Sequence, residues 1–275
     1  MNQHAPTQVI AVTGGKGGVG KTNIAVNLSV ALSRLGRSVL LFDADLGLAN
    51  VDLILGLQSS WNISHVLSGE RNLHEVVVEG PAGIRVVPAS SGLARMARLG
   101  ELELAGLVRE FSQLEDSSDV LVVDTGAGLD PSVLMFCAAS EEVVVVVCDE
   151  PASIADAYSL IKVLNQTRAV EKFQVIANMV EGDAAGRRLF AKLCSVTDRF
   201  LDARLHYLGA IPLDPYLRKA VQRRVPVSLA YPRAPASLAF TQLAESLSRR
   251  PQPTMETGGI KFFLERIVAS PVSPV

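Results

Sequence analysis

The chain has 275 residues, 48% of them hydrophobic, and a formal charge of −2. That is ample for a sizeable core and too apolar for disorder of the whole chain. The near-neutral balance excludes nucleic-acid binding driven by global charge, though not a local basic patch. Cys137, Cys148 and Cys194 have no C-x-x-C spacing, and His4, His65, His74 and His206 have no metal-ligand spacing. This usage suits a reducing cytosol and no structural metal. No apolar run reaches the ~18 residues of a membrane span, and Met1–Gln8 is too short and polar for a signal peptide.

In chain order, strands are predicted at Val9–Thr13, Ser38–Phe42, Ile84–Pro88, Val120–Asp124, Glu142–Cys148, Phe173–Ala177 and Leu205–Ile211. Several are apolar throughout, as in "VVVVVC" at Val143–Cys148, and such strands are buried on both faces. Between them, apolar spacings of three and four predict helices at Thr22–Leu35, Glu101–Gln113, Pro131–Ala138, Ile154–Asn165, Ala184–Leu201 and Ala236–Ser248. This alternation predicts an α/β fold, doubly wound, with a mostly parallel sheet and helices on both faces. Residues 1–248 read as one domain, and "RRPQPTMETGG" (Arg249–Gly259) as a linker to a short C-terminal amphipathic helix in residues 260–275. In that helix Ile260, Phe263, Leu264, Ile267 and Val268 gather on one face of about 140°, with Lys261, Glu265 and Arg266 outside it. Such a stripe either packs into a groove of the protein or anchors it to a membrane surface.

The chemistry concentrates in "VTGGKGGVGKTN", Val12–Asn23. Gly15–Thr22 fits G-x-x-x-x-G-K-[ST], between a predicted strand and a predicted helix, as a phosphate-binding loop requires. Its glycines (Gly15, Gly17, Gly18, Gly20) let backbone N–H groups, including those of Val19 and Asn23, curl around an anion at a helix N-terminus. Lys21 reaches the β- and γ-phosphates, and the Thr22 hydroxyl holds Mg²⁺. Lys16 is surplus to that scheme. Asp43 and Asp45, at a strand end, suit Mg²⁺ and water positioning, and Asp124 ends the apolar strand of "VLVVDTGAG".

"KGGVGKT" resembles the deviant Walker A motif of the MinD/ParA group of P-loop ATPases, and the resemblance covers roughly Gln8 to Ser248. It implies ATP and Mg²⁺ as cofactors, ATP hydrolysis, and an ATP-dependent homodimer in which Lys16 contacts the nucleotide of the partner subunit. Carried over, Asp45 orients the attacking water and Asp43 supports the metal's water shell. Asp124 becomes the Walker B carboxylate, set against the Mg²⁺ shell, followed by a switch II loop in which Gly126 stands where alanine or proline is usual. Asn178, ending "VIANM", would read adenine, Asp214 in "IPLD" lies in the other adenine-side loop, and Glu150 in "CDEP" borders the dimer face.

Within the group the sequence is similar to the FlhG/FleN branch, on "VTGGKGGVGKTN", "DADLGLANVD", "VCDEP", "ANM" and "LFAKLCSVTDRFL". That branch sets flagellar number and placement, restrains a flagellar transcriptional activator, and is linked to a flagellar GTPase of the signal-recognition-particle type. Only about eight residues precede the first strand, with no glutamine-rich helix signal of the kind that some members use to stimulate the GTPase. The alternatives are MinD-like placement of the division site and ParA-like partitioning. The resemblance implies a cytoplasmic protein, with peripheral contact to the inner face of the membrane through the C-terminal helix. The local run "RKAVQRR" (Arg218–Arg224) reads equally as a solvated helix face, and no direct nucleic-acid partner is expected.

Overall fold

A computed structural model describes residues 6–45, 50–88, 110–111, 118–250 and 259–269. The helix predicted over Glu101–Gln113 lies outside these residues except for Glu110 and Phe111, as does the predicted linker except for Arg249, Arg250 and Gly259. The strands are β1 (Gln8–Gly14), β2 (Val39–Ala44), β3 (Val78–Glu79), β4 (Arg85–Val87), β5 (Val120–Ala127), β6 (Glu142–Cys148), β7 (Lys172–Val180) and β8 (Arg204–Pro212). They form one sheet in the order β3-β4-β2-β5-β1-β6-β7-β8, parallel except for the β3–β4 pair. The central strands are buried on both faces, as their unbroken apolar runs require.

The helices are α1 (Lys21–Arg34), α2 (Val51–Leu55), α3 (Ile63–Leu67), α4 (Leu73–Val76), α5 (Pro131–Ala139), α6 (Pro151–Arg168), α7 (Asp183–Thr197), α8 (Pro215–Gln222), α9 (Val227–Ala230), α10 (Pro235–Ser248) and α11 (Ile260–Ala269). On one face of the sheet, Ile24, Leu28 and Leu32 of α1 pack with Phe240 and Leu243 of α10. On the other face, Phe136 of α5, Leu160 of α6 and Leu189 of α7 cover the strands. The doubly wound architecture is as the sequence predicts. β3 and the short helices α2, α3, α4, α8 and α9 were not predicted. The helix predicted from Ile154 begins at Pro151, and the one predicted to Leu201 ends at Thr197.

Proline explains part of that difference. Pro131, Pro151, Pro215 and Pro235 each open a helix, where the missing N–H costs nothing and the fixed φ is already helical. Asp130 and Asp214 cap two of these helices with their carboxylates.

The C-terminal helix α11 lies on the core. Ile260, Phe263, Leu264 and Ile267 are buried with Phe42 and Phe136, and the Phe263 ring stacks on Phe136 at 6.3 Å. Its start is pinned where Glu141 accepts the Gly259 N–H at 3.0 Å and the Val9 N–H at 2.5 Å. The next residue, Glu142, pairs with Arg250, just beyond the end of α10, at 3.2 Å. Consecutive glutamates at the start of β6 therefore grip both ends of the connection between α10 and α11. No helix among the described residues is long and apolar enough to cross a membrane.

Candidate nucleotide-binding site

β1 runs into the glycine loop at the centre of the sheet, and the loop turns directly into α1. Gly20, the residue before α1, has φ 92°, a left-handed conformation that a side chain resists. A Cβ there would sit 2.5 Å from Asn178 Nδ2, and one on Gly15 would overlap the Asp156 carbonyl of α6. The loop is therefore held by direct backbone approach to its neighbours. Asn178 Nδ2 donates to the Val19 carbonyl at 2.7 Å, and the Gly128 N–H donates to the Gly14 carbonyl at 3.1 Å.

The two lysines face different surroundings. Lys21 is 7% exposed, and its Nζ reaches the Lys16 carbonyl at 3.5 Å. Burial lowers its pKa, while the nearby Asp124 and Asp45 oppose the shift. Lys16 has its side chain 39% exposed and pairs with Glu150 at 2.8 Å. The Glu150 hydrogen bond and charge raise its pKa. Glu150 stands immediately before α6, at the rim of the same loop.

The carboxylates meet because of strand register. Asp43 of β2 lies opposite Asp124 of β5, and Val12 of β1 lies opposite Asp124 on its other side. Burial, with Asp43 second, raises the Asp124 pKa well above the ordinary carboxylate range, while Thr22 and Lys21 oppose the shift. Neither Asp124 oxygen has a partner in full hydrogen-bond geometry, and the Thr22 side chain comes close enough only to temper the shift. Asp43 is also pushed up, to about 7, by burial. Its oxygens are engaged: Oδ1 accepts the Asp45 N–H, and Oδ2 accepts the N–H groups of Asn50 and Val51, each at 3.2 Å. Asp43 thus fixes the chain entering α2, and Asp124 is left as the donor with open lone pairs. Gly126 lies beside Asp45, since a Cβ there would be 3.4 Å from Asp45 Oδ1.

This donor set suits Mg²⁺. The described residues contain no cluster of three or more His, Cys, Asp or Glu that could cage a metal. Magnesium, however, is held by one or two carboxylates together with phosphates and water. The unpartnered Asp124 oxygens, with Thr22 at the start of α1, fit that arrangement.

The structure brings Gly15–Asn23, Asp43, Asp45, Asp124, Glu150 and Asn178 around one loop. Asn178 keeps a buried Oδ1 with no hydrogen-bond partner, while its Nδ2 is held by the loop. Asp214 is placed differently. Its Oδ1 accepts the Tyr216 N–H at 2.8 Å and its Oδ2 the Ala236 N–H at 2.9 Å, so the carboxylate ties α8 to α10. Beside it opens a cavity of about 470 Å³ lined by Tyr216, Tyr231, Pro232 and Arg233 among others. Sequence reading missed these tyrosines, because no motif connects residues fifteen apart, one on α8 and one just after α9.

A glycine loop at the C-terminal edge of a parallel sheet, with a buried lysine and a strand-end carboxylate, defines a P-loop nucleotide-binding protein. Residues 10–227 match the CobQ/CobB/MinD/ParA nucleotide-binding domain, and the chain belongs to that family. It is 52% identical over 273 residues to "Antiactivator FleN" of Pseudomonas aeruginosa, covering 99% of this chain and 98% of that one. It is 36% identical over 270 residues to "Flagellum site-determining protein YlxH" of Helicobacter pylori, covering 95% and 90%. Among solved structures it is similar to the septum site-determining protein MinD complexed with Mg-ADP from Pyrococcus horikoshii. That match has a TM-score of 0.69, 27% identity, and coverage of 88% and 96%.

Proposed function

We propose that this protein is an ATP-driven dimerising switch that regulates flagellar number or placement by restraining a flagellar transcriptional activator. It is a P-loop ATPase of the MinD/ParA type, with ATP and Mg²⁺ as its cofactors. The flagellar assignment is supported by the likeness to FleN and YlxH over nearly the whole chain. A flagellar GTPase is a further candidate partner on the sequence resemblance alone.

One observation carries the switch mechanism. Lys21 already fills the inside of the loop, whereas Lys16 stands on its open side, paired only with the exposed Glu150. A cation so placed is within reach of a second subunit.

Bound MgATP supplies the cleavable phosphoanhydride, with the metal neutralising charge on its oxygens. The chain's own groups do the rest. The loop N–H groups and the N-terminus of α1 bind the anion. Lys21, Thr22 and Asp124 would hold the phosphate–metal end, and Asn178 would offer its Oδ1 to the base edge while its Nδ2 stays on the Val19 carbonyl. Asp45 orients water, supported by Asp43, which anchors the turn after it. Lys16 adds positive charge across the dimer where the transferring phosphoryl group develops charge.

The test is sizing of the wild-type protein and of Lys16→Ala with ADP and with a non-hydrolysable ATP analogue. The wild type should dimerise with the analogue alone. Lys16→Ala should bind nucleotide, stay monomeric and lose turnover. A variant that dimerised and hydrolysed like the wild type would overturn the reading.

A further inference from the structure

Some cations on the described surface are answered by a carboxylate. Lys16, Arg37, Arg71, Arg187, Lys192, Arg249 and Arg250 all lie in ion pairs. Others, such as Lys172, Arg199 and Arg204, are exposed and unpaired but have an acid one or two residues away in sequence. One region has cations and no acid at all. From Pro215 to Ala244 the sequence holds five cations (Arg218, Lys219, Arg223, Arg224 and Arg233) and no acid. All five are exposed, and among the described residues none is in an ion pair. Arg218 and Lys219 sit on α8, Arg223 and Arg224 in the turn after it, and Arg233 in the turn between α9 and α10.

Several are held in place without a counter-charge. Lys219 lies 5.3 Å from the centre of the Tyr216 ring. The Arg223 guanidinium lies 5.8 Å from the centre of the Tyr231 ring and donates to its hydroxyl at 3.4 Å. Arg224 keeps a left-handed backbone at φ 56°, uncommon for a residue with a side chain. Ordered, uncompensated arginines lose little freedom when a carboxylate arrives, and their planar forks bind it bidentately.

We propose that this face docks an acidic segment of a partner protein. Three observations favour a short acidic peptide over other anions. The two tyrosine rings lie 4.9 Å apart and carry their own cations, which leaves them poor platforms for stacking bases. The patch is short, since an eight-residue helix spans only about 12 Å, and the whole chain is net negative at −2, which opposes a long polyanion.

The patch also touches the nucleotide side. A Cβ on Gly56, at the end of α2, would lie 3.4 Å from Arg224 Cβ, and Asp43 holds the first N–H groups of α2. Any dependence of docking on nucleotide rests on the switch reading above. The docking itself does not.

The experiment is fluorescence anisotropy of a labelled peptide of alternating Glu and Gly, titrated with the full-length protein in ADP. Binding should weaken about tenfold between low and physiological salt, and at least about tenfold in the triple variant Arg218→Glu/Lys219→Glu/Arg223→Glu. It should be unchanged in Arg249→Glu, outside the patch. Unaltered thermal stability and nucleotide affinity of the triple variant show that it is folded. No peptide binding at low salt, or equal binding to the triple variant, overturns the proposal. A stronger patch-dependent response to oligo-dT or to phosphatidylglycerol vesicles overturns the assignment to an acidic protein segment. Repeating the titration with the ATP analogue tests the coupling separately.

Discussion

Glu141→Gln tests whether the grip on α11 is a titrating one. Glu141 spends its two oxygens on backbone donors, Val9 N–H from β1 and Gly259 N–H before α11. Burial lifts its pKa from the ordinary 4.5 to about 7, against those hydrogen bonds and the charge of Arg266. A carboxyl whose folded pKa is raised holds its proton more tightly in the native state. Its contribution is fully present below pH 4.5 and is lost as pH rises through about 7. The ceiling on that loss is about 3 kcal/mol at ~1.4 kcal/mol per unit. Glutamine cannot titrate, and it turns an amide toward one of the two N–H donors, a cost of about 1–3 kcal/mol at every pH. Melting curves at about pH 5, 6, 7 and 8 should therefore show the variant well below the wild type at pH 5. The gap should close by several degrees toward pH 8, at about 2–4 °C per kcal/mol for a chain of this size. Asp43, also raised to about 7, is present in both proteins and cancels from the difference. A constant offset across the range would refute the titration, and no offset at any pH would refute the latch.

Asp45→Ala should lower ATP turnover at least about 100-fold while retaining nucleotide binding and trapping the dimer, read by phosphate release and sizing. Gly20→Ala should reduce nucleotide affinity at least about tenfold in calorimetry, because its Cβ would push on the Asn178 amide 2.5 Å away at φ 92°. Phe263→Ala should weaken the docking of α11 by about 3–5 kcal/mol, seen as faster amide exchange in that helix with the central strands unchanged. If the stripe of α11 also serves a membrane, the intact protein should float with liposomes only with the ATP analogue, and not after removal of residues 259–275. Flotation in ADP alone would contradict a stowed helix, since the four buried side chains each contribute about 1.5–3 kcal/mol that release must offset.

The strands were legible because a parallel sheet buried on both faces writes itself as apolar runs; β6, "EVVVVVC", has the same limits in sequence and structure. The short elements were not. α2, α3 and α4 have four or five residues each, too few for a helical period to register. Their signals are local caps instead, as where Asn62 and Asn72 open α3 and α4 with capping boxes. Helix starts were misjudged where apolar spacing was weighed above proline. α6 begins at Pro151, three residues before its first apolar anchor, Ile154.

The site divides along the same physical line. Contacts made by backbone inside one contiguous loop, such as those of Gly15–Thr22, can be read from glycine spacing alone. Contacts made by strand register need the fold. Asp43 and Asp124 become neighbours only because β5 lies between β2 and β1, an order that the sequence of elements does not state. Once they are neighbours, burial separates their tasks: Asp43 spends its oxygens on the turn into α2, and Asp124 keeps both of its own unpartnered. The sequence reading gave both to the metal. The geometry supports one as donor and the other as the brace that sets where Asp45 stands, so Asp43→Asn should disturb Asp45 before it disturbs the metal. Its Oδ1 could keep the Asp45 N–H only by turning an amide on the Asn50 and Val51 donors. Turnover should then fall more than Mg²⁺-dependent nucleotide affinity, and an equal loss of both would return Asp43 to the metal.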